Sequence, residues 1–188
     1  MNTNIDFNKL RARFNDDRPF AERFFALTTE LESFHIEEIR TDAYLPYSCV
    51  NDSGAIVVMM KGQDGNGHPF IMVLLEPREN MPYLIRAYTA WLWDPYSPIS
   101  DENFMNLPDL YEIAFEDKTT DAPELPILHV RTYSRHKEGD EWVSDEKEVY
   151  DGVFINLINV NTEGSEIMRL LTEAGIYSSD SHRCDESE

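Results

Sequence analysis

The side chains most able to do chemistry in this chain are its carboxylates, 36 Asp and Glu against 16 Lys and Arg among 188 residues. They gather in two runs, Asp109, Glu112, Glu116 and Asp117, then Glu138, Asp140, Glu141, Asp145, Glu146 and Glu148. Carboxylates can hold a divalent cation when two or more converge on one point. Spread over a surface, they attract basic partners instead. Other reactive patterns are weaker. The five histidines contain no HxxxH pair, and His182 and Cys184 sit close together only in a polar end segment. Cys49 and Cys184 form no CxxC motif, so neither a zinc site nor a disulfide framework is expected. The glycines of Gly62-Gln63-Asp64-Gly65-Asn66-Gly67 are not followed by Lys-Ser or Lys-Thr, so they read as a hairpin turn rather than a phosphate cradle. No GxSxG nucleophile elbow occurs.

Charge excludes one class of partner. The formal net charge is −20. Residues 1–90 carry 9 basic and 13 acidic groups, residues 91–188 carry 7 and 23, so the second half holds −16 of the total. Such a field repels nucleic acid and anionic membrane, and each phosphate contact needs a Lys or Arg that is scarce here. A basic protein partner is expected, and free duplex DNA is not. No apolar run reaches the length of a membrane span and no signal peptide is evident, so a cytoplasmic location is expected.

The elements that must position these groups follow from periodicity. Residues 1–16 predict a short helix, and Asp17-Arg18-Pro19 opens a second with Asp17 as its cap and Pro19 in the first turn. Phe20, Phe24, Leu27 and Leu31 follow at helical spacing. Phe34–Ile39 predicts a strand. Residues 55–61 and 70–76 predict a β-hairpin closed by the glycine turn. A helix is expected over 80–93, where Leu84, Ala87, Tyr88, Trp91 and Leu92 make one apolar stripe. Burial in that stripe takes Tyr88 and Trp91, leaving Trp93 and Tyr96 as candidates for a partner contact. Leu110–Phe115, Ile127–Tyr133 and Val153–Val160 predict further strands, with a charged solvated excursion over 135–151. Ile167, Leu170, Leu171 and Ala174 predict a last helix closed by Gly175. One domain over 1–176 and an acidic flexible tail over 177–188 are expected.

This order of elements, with the phrases DFNKLRARFNDDRPFAERFFAL, GQDGNG, LPDLYEIAFEDK, LPILHVRT, YDGVFINLINVN and EIMRLL, resembles the PD-(D/E)XK nuclease family transposases, the Rpn recombination-promoting nucleases, over roughly residues 5–175. The resemblance implies an α/β (α+β) fold, a mixed β-sheet with a central hairpin flanked by helices, and descent from a Mg²⁺-dependent DNA endonuclease. Family members carry an aspartate on the first hairpin strand, then a glutamate on the second, followed two residues later by glutamine or lysine. Carried onto this chain, those positions fall at Val57, Leu74 and Glu76, and only Glu76 can coordinate a cation. A register shift of one brings in Val58, Val73 or Leu75 and supplies no acid. Three functions follow. The first is a catalytically inactive nuclease-like protein that works through an acidic protein-binding surface and needs no cofactor. The second is an active Mg²⁺ endonuclease with relocated carboxylates drawn from Glu37, Glu38 or Asp42. The third is an acidic DNA mimic or immunity-type inhibitor of a basic nucleic-acid-binding protein.

Overall fold

The computed structural model describes residues 4–41, 56–75, 107–116, 124–131, 133–138, 141–148, 152–162 and 164–178. Glu76, Asp117, Asp140, Asp42, both cysteines, the 80–93 segment with its aromatic stripe, and residues 179–188 lie outside that set.

Each helix begins where a short acceptor side chain can reach the unpaired N–H groups of its first turn. Asp6 Oδ1 accepts from the backbone of Asn8 and Lys9 at 3.1 and 3.0 Å and opens α1, Phe7–Asp16. Asp17 serves both neighbours. Its N–H closes α1 on Arg13 O, and its Oδ1 accepts from Phe20 N at 3.0 Å to open α2, Arg18–Thr28, with Pro19 in the first turn. Ser165 caps α3, Glu166–Glu173, and Gly175 at φ +67° ends it in the left-handed conformation that glycine adopts without strain.

The strands are β1, Phe34–Arg40; β2, Ile56–Asp64; β3, Pro69–Leu75; β4, Asp109–Glu116; β5, Ile127–Val130; β6, Tyr133–Glu138; β7, Glu141–Glu148; and β8, Val153–Asn159. Six of them form one mixed sheet in the order β1-β2-β3-β4-β8-β5. β1 to β3 run as an antiparallel meander, β3 pairs β4 and β4 pairs β8 in parallel, and β5 returns antiparallel to β8. The β2–β3 hairpin is therefore interior to the sheet, with a neighbour on each side. Its turn is held by Asp64, whose Oδ1 accepts the N–H groups of Asn66 and His68, both at 2.8 Å.

The sequence predicts one strand over Ile127–Tyr133, and the structure divides it. β5 ends at Val130 and the chain resumes as β6 in a separate two-stranded sheet with β7. The break falls at Arg131, whose guanidinium turns back onto the carbonyls of Val130 and Ile155 at 3.1 and 3.3 Å. The charged excursion is that β6–β7 hairpin, pairing Glu138 with Glu141 and Lys137 with Trp142.

One face of the large sheet carries the helices. Val58, Met60, Phe70, Met72, Leu74, Tyr111, Ile113, Phe115 and Ile158 pack there against Leu10, Phe14, Phe24, Phe25, Ile167 and Leu171. Edge-to-face rings tie the layers, as in Phe25 with Tyr111 at 5.6 Å and Phe14 with Phe24 at 5.1 Å. On the other face Ile71, Val73, Leu75, Leu110 and Ala114 are also buried. The continuous apolar runs of β3 and β4 are what a parallel pair buried on both faces requires. The two ends of the described chain meet at an isolated bridge between Ile5 and Tyr177, so Tyr177 is part of the fold.

Candidate functional site

Val57 and Leu74, which stand at the acid positions implied by the nuclease resemblance, are both completely buried members of the helix-side core. Leu74 pairs across the hairpin with Val58, and the register shifts between Ile56 and Val58, which makes Val57 the extra residue of a β-bulge. Neither position opens to solvent. Val58, Val73 and Leu75 are buried as well. Glu76 follows directly on β3 and lies outside the described residues.

Of the carboxylates that could compensate, Glu37 and Glu38 are engaged elsewhere, and Asp42 lies outside the described residues. Glu37 is exposed on β1 and accepts from Gln63 Nε2 at 2.9 Å. Glu38 pairs in register with Lys61 and holds Arg40 at 2.6 Å. Among the described residues no group of three or more His, Cys, Asp or Glu side chains is arranged to hold a metal ion.

Three residues of the first acidic run are described, and none of them is fully exposed. Asp109 opens β4 with its side chain 15% exposed, 3.3 Å from His68 Nε2. Glu112 sits in the middle of β4 at 1% exposure. Alternation places Glu112 on the same face of β4 as Leu110 and Ala114, and all three are buried. Glu112 is thus removed from the expected partner surface. Glu116 is half-buried at the end of β4. The second run fares differently. Glu138 closes β6, while Glu141, Asp145, Glu146 and Glu148 lie on β7, so all five belong to the small separate sheet.

A polar cluster that sequence reasoning missed occupies the β5–β8 border. Asn156 is fully buried on the helix side of β8, opposite His129 of β5. Its Oδ1 lies 2.8 Å from His129 Nδ1 and 3.3 Å from each terminal nitrogen of Arg131. The Arg131 side chain is only 7% exposed and donates to Glu30 Oε2 at 2.9 Å, joining the end of the α2 segment to the sheet. Beneath it the Phe154 ring lies 5.2 Å from the guanidinium carbon and stacks on Tyr111 at 4.8 Å. A signal was present in the sequence. In Phe154-Ile155-Asn156-Leu157-Ile158 the period-2 pattern places an amide on the same face as Phe154 and Ile158, and a polar residue on a core face needs partners.

Two aspartates have their pKa lowered. For Asp64, partial desolvation raises the value, but hydrogen bonds from the backbone of His68 and Asn66 outweigh it. For Asp6, the backbone N–H of Lys9 is the main cause. Both are turn and cap groups, so these shifts report local structure rather than a catalytic centre.

No family model, no curated protein and no solved structure matches this chain. The chain is a mixed α/β protein with a six-stranded mixed sheet and three described helices. Among the described residues no helix is long and apolar enough to cross a membrane.

Proposed function

We propose that this chain is a nuclease-like scaffold without a working metal centre, and that it acts by binding a basic protein through the acidic groups of its second half. The observation that carries the reading is the complete burial of Val57 and Leu74. A metal site at those strands would need acids facing water and substrate, and here the same positions build the core under α1 and α2. The mixed sheet with an interior hairpin and helices on one face agrees with the architecture that the resemblance implies.

The partner side of the reading rests on charge. The second half carries −16, and β6–β7 gathers Glu138, Glu141, Asp145, Glu146 and Glu148 on a two-stranded sheet separate from the core sheet. A hairpin so charged is disfavoured as an aggregation edge and suited to a cationic surface.

A plasmid-nicking assay with Mg²⁺ and with Mn²⁺ tests the inactive half of the proposal. No nicking above background is the expected result. Metal-dependent nicking that disappears in Glu76→Ala would overturn it and establish the relocated-ligand endonuclease.

A further inference from the structure

β5 stands at one end of the six-stranded sheet, and its pairing with β8 fixes which of its backbone groups face outward. Asn159 donates its N–H to Pro126 O at 2.9 Å, which makes 126 and 159 a hydrogen-bonded pair. Antiparallel pairs alternate between bonded and non-bonded. In the register Ile127↔Ile158, Leu128↔Leu157, His129↔Asn156 and Val130↔Ile155, it is therefore Leu128 and Val130 that bond to β8. Ile127 and His129 turn their N–H and C=O away from it. Among the described residues no strand lies against that outer side.

The opposite edge is guarded. β1 carries a bulge between Ile36 and Glu38, the charged Glu37, Glu38 and Arg40, and a side-chain donor, since Arg18 Nη2 donates to Ile36 O. Each of these devices discourages an added strand. β5 has no bulge and no acidic or basic residue within Ile127-Leu128-His129-Val130 other than the histidine. Its one guard is Pro126 before the first residue. The two exposed large hydrophobic side chains among the described residues, Leu125 at 43% and Val130 at 40%, lie one at each end of it.

We infer that the outer edge of β5 is a docking strand that takes an extended segment of a basic partner by strand addition. The inference rests on the acidic-surface reading above and names the chemistry of its occupant. Main-chain bonds would run to Ile127 and His129, and apolar side chains of the segment would cover Leu125 and Val130. Basic side chains would meet exposed Glu124. A second copy of this chain is the poorer occupant, because two chains of net charge −20 repel each other.

The test uses the full chain and a capped peptide of about ten alternating lysine and valine residues. Its control is the same peptide with every second backbone nitrogen methylated, which keeps charge and side chains but removes the strand-forming donors. The unmodified peptide should bind about tenfold more tightly than the control, the equivalent of one or two hydrogen bonds. Amide exchange should slow at Ile127 and His129 on binding, and change little at Leu128 and Val130. Ile127→Pro, which deletes an outward N–H without breaking the β8 ladder, should bring binding of the unmodified peptide down to the control's level. Equal binding of both peptides overturns strand addition and leaves the acidic-surface reading standing. Failure of both peptides to bind in low salt overturns both readings. Self-association of the free chain that protects the Ile127 and His129 amides overturns the choice of occupant.

Discussion

His129 Nδ1 and Asn156 Oδ1 lie 2.8 Å apart, and the same amide oxygen faces both terminal nitrogens of Arg131. An oxygen directed at a guanidinium accepts, so the 2.8 Å contact is completed by a proton on His129 Nδ1, in competition with Arg131 Nη2, which lies 3.2 Å from the same nitrogen and would need it to accept. The shorter of the two contacts favours the Nδ1–H tautomer of this half-buried histidine, held by a fully buried amide.

The first prediction concerns that pair. Nitrogen-15 NMR of the neutral ring should show His129 as the Nδ1–H tautomer. Asn156→Leu should remove the preference and leave Arg131 short of an acceptor in the core. The expected stability loss in urea unfolding is about 2–3 kcal/mol. A predominantly Nε2–H signal in the native protein would contradict the assignment of the amide oxygen.

The second concerns the hairpin acids. Placing carboxylates in the hairpin as Val57→Asp or Leu74→Glu should not create a nuclease. Each buries an ionisable group at a completely buried position and should cost about 3–5 kcal/mol, the scale of an uncompensated buried charge. Denaturant midpoints measure this. A variant as stable as the parent chain would mean that these strands open to solvent.

The third concerns Gly62, which pairs with Phe70 across the hairpin. A Cβ built at Gly62 would lie 2.2 Å from His35 O and 2.6 Å from Phe70 Cζ. The ring can shift, but the carbonyl of β1 is backbone and cannot. Gly62→Ala should therefore destabilise by about 1–3 kcal/mol, while Gly67→Ala meets nothing within 4 Å and is strained only through its φ of +81°. Thermal unfolding of the two variants compares them.

The fourth is a pH dependence. Asp6 and Asp64 have folded values below the ordinary 3.8. A lowered carboxylate pKa contributes stability above the unfolded value, and that contribution is lost as pH falls through the folded value. Stability should thus decline as pH drops below about 4, and Asp64→Asn should flatten part of that decline. An unchanged acid limb in the variant would separate the turn from acid unfolding.

The fifth addresses association. Reversing Glu141, Asp145 and Glu146 to Lys should slow binding of a basic protein by about tenfold at low salt, without lowering the unfolding midpoint. An unchanged rate would move the contact surface off the β6–β7 hairpin.

Most of the described architecture was legible in the residues. The cap at Asp17, the glycine turn, the strand at Leu110–Phe115 and the Gly175 stop are local signals, and each lies where its chemistry places it. What was not legible depends on contacts distant in sequence. Charge along β4 suggested an acidic run at the surface, yet Glu112 shares a strand face with buried Leu110 and Ala114, and whether such a face meets water is decided by what packs on it from elsewhere in the chain. Likewise the break at Arg131 comes from Asn156 and Ile155, residues about 25 positions further on. Val57 and Leu74 were readable as apolar hairpin residues, but the bulge that makes Val57 an extra core residue was not.

The pairing of β4 with β8 and the bridge from Ile5 to Tyr177 have a consequence for how the chain is made. The meander of β1 to β3 can assemble early, because its partners are near in sequence. β4, however, has only one of its two neighbours until residues 153–159 have left the ribosome, and Ile5 waits for Tyr177. High contact order of this kind slows folding and leaves an unfinished sheet edge during synthesis. The nascent chain therefore elongates from residue 117 to residue 152 with β4 open on one side, the period in which a chaperone would have most to protect.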